Sequence, residues 1–220
     1  RQSNIFRIIR SNRKTRILFS SLKHSLVTMS LRSIALVMGG TAIGGYVEFS
    51  RGSTIRESHG AQITAITPAI LLGCGFWSLF HGFTVGRARA KFAEMARKDG
   101  EKDVDERYLL PNLYAQGTSK YARAFNCVQR SHQHIFETFT TVAVGGLTGA
   151  VVFPICSALS TLMYTVGRYY LSRGYVETEG DASKRYKYPL AKFMWFGLLG
   201  NITLGTMSCF IVASGKKKLI

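Results

Sequence analysis

Three long stretches without a charged side chain constrain this chain more than any other feature. Residues 63–86, 138–167 and 193–215 contain no Asp, Glu, Lys or Arg. About 20 apolar residues are needed to cross the hydrocarbon layer of a bilayer as a helix, so the first and third stretches each predict one crossing. The sequence therefore predicts an all-α integral membrane protein rather than a soluble enzyme.

The second stretch is too long for a single crossing. Its middle contains a cluster of helix-breaking residues: Gly145, Gly146, Gly149 and Pro154. Such a cluster is typical of a turn between two helices. Read outward from that turn, one helix begins near Tyr121 and the next runs from about residue 151 to 173. We therefore predict a four-helix transmembrane bundle over residues 63–214.

The region before the bundle is first basic and then apolar. Residues 1–30 form a basic, serine-rich arm, and no acidic residue occurs before Glu48. This composition is typical of a mitochondrial transit peptide, or of an arm that lies on anionic head groups. Residues 31–49 predict an additional N-terminal membrane helix, either a fifth crossing or a re-entrant or surface helix. A polar linker follows over residues 50–62.

The charge distribution bears on partners and on the compartment. The formal net charge is +17, from 29 Lys and Arg against 12 Asp and Glu. Basic patches attract nucleic acid, but these residues lie where membrane flanks carry them, so no nucleic-acid partner is expected. With five spans, 24 of the 29 basic residues fall on one side, which predicts a cytosolic or matrix side.

The basic tail over residues 215–220 resembles a retrieval signal of the endoplasmic reticulum. The five-span orientation places it on the opposite side from the cytosol, however, and a solvated basic end is the alternative. We therefore expect the mitochondrial inner membrane, with the endoplasmic reticulum as the alternative. Metal binding is not expected, because the four cysteines show no CxxC spacing and suit buried free thiols.

Three polar residues stand at the edge of the second apolar stretch. Arg130, His134 and Glu137 are four and three residues apart and so share one helical face. Ionisable residues are costly there and normally face the bundle interior or a wet cavity. Arginine can bind a carboxylate and glutamate an amino group, as in a zwitterionic peptide such as glutathione. The alternative is an Arg130–Glu137 pair that locks neighbouring helices.

The segment FNCVQRSHQ, residues 125–133, resembles the signature of the membrane-associated eicosanoid and glutathione metabolism (MAPEG) family, closest to its microsomal glutathione S-transferases of the third type. The resemblance extends over residues 63–214 through VGRARAKF, YLLPNLY and VGRYYLSRGY. It implies a four-helix protomer and a homotrimer that binds glutathione between adjacent protomers. It also implies that an arginine near the end of the first helix activates the thiolate, which is the nucleophile.

The expected glutathione site has five residues: Arg130, His134, Glu137, Tyr175 and Arg185. Arg130, Glu137 and Tyr175 match the family pattern, and Arg185 follows in the connection after the third helix. Arg89 is the candidate catalytic residue, because it matches the first basic position at the end of the first helix.

Departures from the family pattern weaken the expected catalysis. Ala90 stands where related enzymes place an activating arginine or lysine, and Leu171 replaces a tyrosine. His134 replaces an asparagine, although it can still donate a hydrogen bond and is included in the candidate site. Thr140 stands where a proline is usual. The site is therefore expected to be partly eroded.

Two functions remain open. The first is an accessory or structural subunit of a larger membrane complex, for which the basic extension and the extra helix argue. An ordered extension needs a protein partner or membrane lipid to offset its ordering cost. The alternative is an active glutathione transferase or peroxidase, in a homotrimer, that acts on lipophilic electrophiles or lipid hydroperoxides.

Overall fold

The computed structural model describes residues 30–51, 53–109 and 112–215, and it contains no strand in these ranges. The basic arm over residues 1–29 and the last five residues, 216–220, lie outside the described residues. Five long helices follow one another along the chain: α1 (Leu31–Arg51), α2 (Ser53–Lys98), α3 (Lys120–Val152), α4 (Pro154–Val176) and α5 (Phe193–Ala213). Short helical turns lie between them, at Asp105–Leu109, Ala182–Tyr186 and Pro189–Lys192.

The helices α2 to α5 form the bundle. The last three pack against one another, and α2 lies against α3 and α4. Three segments are long and apolar enough to cross a membrane: Gln62–Lys98, Lys120–Val152 and Pro189–Ala213. The 23 residues of α4 extend about 34 Å at 1.5 Å per residue, which suits the same layer. The predicted all-α membrane bundle is confirmed.

The turn between α3 and α4 lies at Phe153 and not in the glycine cluster. Pro154 opens α4, where its missing N–H removes no helical hydrogen bond. The glycines stay helical and let neighbours approach: an ideal Cβ on Gly145 would lie 2.7 Å from the carbonyl oxygen of Asn201. The break therefore lies within the predicted cluster, at its Pro154 end, while the glycines before it serve close packing of membrane helices.

Two other glycines bring the backbones of α4 and α5 together. An ideal Cβ on Gly197 of α5 would lie 2.7 Å from the Cα of Tyr164, and still closer to other backbone atoms of α4. Gly167 of α4 meets the backbone of Met194 in the same way, with 2.7 Å to its Cα. These contacts fix the relation between α4 and α5, which both carry residues of the site.

Residues 35–51 of α1 rest against the end of the bundle where α3 meets α4. The Glu48 carboxylate accepts hydrogen bonds from the backbone N–H groups of Ile155 (2.7 Å) and Cys156 (2.8 Å). These donors belong to the first turn of α4, which has no partner for them within the helix. Phe49 packs on an apolar cluster at the same end. A helix thus covers the predicted 31–49 region, and its crossing of a membrane stays a prediction.

The predicted polar linker over residues 50–62 is helical from Ser53 onward, so that α2 is 46 residues long. Its first proline is Pro68, well inside the helix. The polar composition of residues 50–62 therefore did not imply an irregular connection, because no proline ends the helix between Ser53 and the membrane.

Candidate functional site

A fully buried arginine lies at the centre of the site. The Arg168 side chain, on α4, has no solvent exposure. One of its NH groups donates to Nδ1 of His134 at 2.5 Å, and another donates to the carbonyl oxygen of Ser131, both on α3. A weaker contact joins it to the Met194 sulfur at 3.6 Å. Among the described residues no carboxylate pairs with this guanidinium.

His134 can only act as an acceptor towards Arg168. A guanidinium carries donors alone, so Nδ1 of His134 must be the unprotonated nitrogen and the ring proton lies on Nε2. The ring also lies near Trp195, with 6.0 Å between the ring centroids. His134 is therefore held between α3, α4 and α5, and its Nε2–H remains a hydrogen-bond donor.

Arg130 and Glu137 form a bidentate ion pair beside this centre. Their two hydrogen bonds measure 2.5 and 3.0 Å, and each side chain is 40% exposed. Both residues belong to α3, so the pair joins two turns of one helix. The alternative prediction, that this pair locks neighbouring helices together, is therefore wrong. Half-exposed ionic groups at membrane depth fit a surface covered by something more polar than lipid chains.

Tyr175 and Arg185 complete the group. Tyr175 is almost buried in the last turn of α4, and the guanidinium groups of Arg130, Arg168 and Arg185 all interact with it electrostatically. The same three guanidinium groups act on His134. Arg185 donates to the carbonyl oxygen of Ala182 at 2.9 Å and stacks on Tyr186. The structure therefore gathers all five residues of the predicted glutathione site.

The segment that carries Arg185 is fastened to the end of α4. Glu177 accepts hydrogen bonds from Tyr188 (2.6 Å), Lys187 (3.0 Å) and Arg173 (2.9 Å), which lower its carboxyl pKa to about 2. Gly174 lets this segment approach, because a Cβ there would run into the Arg185 backbone. These contacts hold Arg185 over the end of α4.

Arg89, the predicted catalytic residue, is engaged elsewhere. Its guanidinium donates to the carbonyl oxygens of Tyr108 and Asn112, both at 2.7 Å, and lies 4.5 Å from the ring centre of Phe125. No contact in the described ranges joins it to the group around Arg168. Arg89 fixes the α2–α3 connection, and its catalytic role stays a prediction.

At position 90 the chain has no positive charge in place of the expected activating arginine or lysine. Ala90 is exposed, and the neighbouring Lys91 is also exposed, with its ammonium over the Phe92 ring. Leu171 is buried in the apolar core. Tyr170 is partly buried against the same core, and its ring lies tilted beside that of Tyr188, with 5.6 Å between the ring centroids.

Arg168 was missed by the sequence analysis, which counted it with the basic residues that flank an apolar run. A signal existed in the periodicity of α4. Buried polar residues recur there at steps of four, three, four, four and three: Ser157, Thr161, Tyr164, Arg168, Ser172 and Tyr175. That spacing places Arg168 on an inward face, where a charge is retained only with polar partners.

The charges of the site indicate what it can bind. The group contains three guanidinium groups, those of Arg130, Arg168 and Arg185, and one carboxylate, that of Glu137, which pairs with Arg130. Arginine presents planar pairs of donors that match carboxylates, and in a low-dielectric site such hydrogen bonds are strengthened. The site therefore suits a ligand with more than one carboxylate and an amino group for Glu137.

Comparison with known proteins agrees with this geometry. The model of the MAPEG family matches residues 67–207 of the chain, a range that includes every residue of the site. No solved structure matches the chain.

Proposed function

The chain belongs to the MAPEG family, and from this premise we propose that it binds glutathione at the Arg168 site without efficient thiol activation, and that it serves as an accessory subunit of a larger membrane complex. The proposal assigns it to the branch of microsomal glutathione S-transferases of the third type, as the FNCVQRSHQ segment suggests. The mitochondrial inner membrane is the proposed location, with the endoplasmic reticulum as the alternative.

One observation carries the binding proposal: Arg168 is hydrogen-bonded to His134, one helical turn from the Arg130–Glu137 pair, and the Arg185 backbone lies against Gly174, next to Tyr175. Glutathione has two carboxylates and one ammonium group at neutral pH. Its carboxylates fit the partly exposed guanidinium groups of Arg130 and Arg185, with the buried charge of Arg168 behind them, and its ammonium fits Glu137. The exposed sides of Arg130 and Glu137 suit a ligand that is shared with an adjacent protomer of a homotrimer.

The proposal that thiol activation is weak is supported by the residues at positions 89 and 90, Arg89 and Ala90. A thiolate needs a nearby positive charge that lowers the thiol pKa. Position 90 offers a methyl group, and the guanidinium of Arg89 is already hydrogen-bonded to two backbone carbonyls. The alternative function, an active transferase or peroxidase towards lipophilic electrophiles or lipid hydroperoxides, is favoured by one observation: Arg168 lacks a carboxylate partner and could supply that charge.

The accessory role is supported by α1. Residues 35–51 lie outside the range that matches the family, yet Glu48 ties them to the first turn of α4. A helix that is fixed to the bundle in this way extends its surface within or beside the membrane. Such a surface suits contact with another membrane protein.

The binding proposal is tested by titrating the detergent-purified protein with glutathione and with S-methylglutathione in a calorimeter. Both ligands are expected to bind, because the carboxylates and the amino group carry the affinity. Arg130→Gln should weaken both by about 1.5–3 kcal/mol, or roughly ten- to a hundredfold, as for other hydrogen bonds to charged groups. The matched control is Arg123→Gln, which removes an exposed charge from the same helix.

Thiol activation is read separately from the ultraviolet absorbance of the bound thiolate. We expect no thiolate signal at neutral pH and no conjugation above the uncatalysed rate. A strong thiolate signal that Arg168→Gln abolishes would establish the alternative, an enzyme. Equal affinities of the wild type and Arg130→Gln would remove the site from consideration.

The accessory role is tested by the native mass after mild detergent extraction from the source membranes. Migration only with a much larger assembly is the expected result. A species of three 24.4 kDa chains plus detergent would support a free homotrimer instead.

A further inference from the structure

The connection between α2 and α3 reaches the Arg130–Glu137 pair through a tyrosine. Residues 99–119 join the two helices, and Tyr114 lies near the end of this connection. The Tyr114 hydroxyl donates a hydrogen bond to Oε1 of Gln133 on α3, and it also interacts with the guanidinium of Arg130. The connection therefore forms part of the border of the proposed glutathione site.

Gln133 lies between the two charged residues on the same face of α3. It is three residues after Arg130 and four before Glu137, spacings at which side chains are neighbours on a helix. The Gln133 side chain is partly exposed, as are those of Arg130 and Glu137. A ligand that contacts the exposed sides of the ion pair is therefore within reach of Gln133.

The contact with Tyr114 determines which way the Gln133 amide points. A guanidinium only donates, so the Tyr114 oxygen accepts from Arg130, and the hydroxyl proton goes to Oε1 of Gln133. The Nε2 group is then the free end of the amide, and its N–H donors have no partner in the part of the chain that the structure describes. Unused donors thus lie one helical turn from the Arg130 guanidinium.

The backbone is held on both sides of Tyr114. Arg89 of α2 donates to the carbonyl oxygen of Leu113, the residue before it, at 3.3 Å. Asn126 of α3 accepts from the N–H of Ala115, the residue after it, at 2.8 Å and donates to the Ala115 carbonyl oxygen at 3.0 Å. Both neighbouring helices therefore fix the segment that presents the Tyr114 hydroxyl.

We propose that Gln133 is a further binding residue of the glutathione site, whose amide donates to the ligand carboxylate that Arg130 binds. Tyr114 is a positioning residue, because its hydroxyl keeps the amide in the orientation that donates. A guanidinium and an amide together offer the carboxylate donors from two side chains. This role of Gln133 depends on the proposed glutathione site and adds a residue to it.

The role of Gln133 is tested by calorimetric titration of the detergent-purified protein with glutathione. Gln133→Ala should weaken binding about tenfold or more, as expected when a hydrogen bond to a charged group is lost. Tyr114→Phe should weaken binding less, because the amide remains but is free to rotate. The matched control is Gln116→Ala, which removes an exposed amide from the α2–α3 connection and should leave the affinity unchanged.

Two further readouts separate these roles from a general loss of structure. In the Gln133→Ala background, Tyr114→Phe should have no additional effect on the affinity, because the hydroxyl acts through the missing amide. The two monoethyl esters of glutathione, each with one carboxylate blocked, identify the carboxylate that the amide binds. The effect of Gln133→Ala should be much smaller for one ester than for the other.

The outcomes for Gln133 and for the site as a whole are distinguishable. If Arg130→Gln weakens glutathione binding and Gln133→Ala does not, the site stands and the role of Gln133 is refuted. Equal effects of Gln133→Ala on both esters would also refute it, since no single carboxylate would then be its partner. An undiminished effect of Tyr114→Phe in the Gln133→Ala background would exclude the positioning role. Failure of the wild type to bind glutathione would refute the proposed function itself, and the role of Gln133 with it.

Discussion

The contact between α4 and α5 allows a quantitative prediction for Gly197→Ala. The added Cβ would lie 2.7 Å from the Cα of Tyr164, against 3.5–4.0 Å for an optimal carbon–carbon contact, so the helices must separate by about 1 Å. The atoms in its way are backbone and cannot rotate aside. Overpacking then costs about 3 kcal/mol, the upper part of the usual range, and the better helix propensity of alanine returns about 1 kcal/mol.

The expected net loss is about 2 kcal/mol of unfolding free energy, or roughly thirtyfold in the folded-to-unfolded ratio. It can be measured by titrating mixed micelles with dodecyl sulfate and following the loss of helical circular dichroism. The matched control is Gly73→Ala, because a Cβ on Gly73 of α2 would meet nothing within 4 Å. The same chemical change there meets no neighbour and should stabilise the helix by about 1 kcal/mol through propensity alone. If the two variants had the same stability, the argument that α4 and α5 meet backbone to backbone would be refuted.

Two further changes test the connections around the bundle. Glu48→Ala should cost about 1–2 kcal/mol, because it leaves two N–H groups of the first turn of α4 without their acceptor, and it should speed hydrogen exchange in residues 35–51; unchanged exchange there would contradict the capping role. Glu177→Gln should speed exchange in residues 178–192 at pH 7. The folded pKa of Glu177, about 2, lies below the ordinary 4.5, so its stabilising effect is present above pH 4.5 and is lost as the pH falls towards 2. The difference between variant and wild type should therefore shrink over that range, and a difference that persisted at pH 2 would exclude the carboxylate as its cause.

The membrane bundle could be predicted because charged side chains are costly in lipid, so a long stretch without them indicates a membrane helix. Residues 63–86, 138–167 and 193–215 correspond to parts of α2, of α3 with α4, and of α5. The turn could be located only to the span from Gly145 to Pro154, because glycine has two uses that sequence alone does not separate. It can end a helix, or it can let a neighbouring backbone approach, as Gly145 does.

The candidate site could be predicted only where its residues share one local pattern. Arg130, His134 and Glu137 lie on one face of α3, and helical spacing alone brings them together. Arg89 shows the limit of this reasoning. Its partners are backbone carbonyls 19 and 23 residues away. Every residue has a backbone carbonyl, so the sequence does not show which ones accept a hydrogen bond from Arg89. A motif can therefore predict where an arginine lies along the chain without showing which acceptors its guanidinium already binds.

The histidine at position 134 has a structural role that is evident only from its contact with Arg168. As a departure from the family pattern, His134 counts as erosion of a glutathione site. In the structure its Nδ1 accepts a hydrogen bond from the buried Arg168, at 2.5 Å, and so compensates part of the cost of burying that charge. The imidazole cannot neutralise the guanidinium, since it brings no negative charge. The positive charge at the centre of the bundle thus remains without a counter-ion among the described residues, and it is held there by neutral acceptors, the His134 ring and the Ser131 carbonyl.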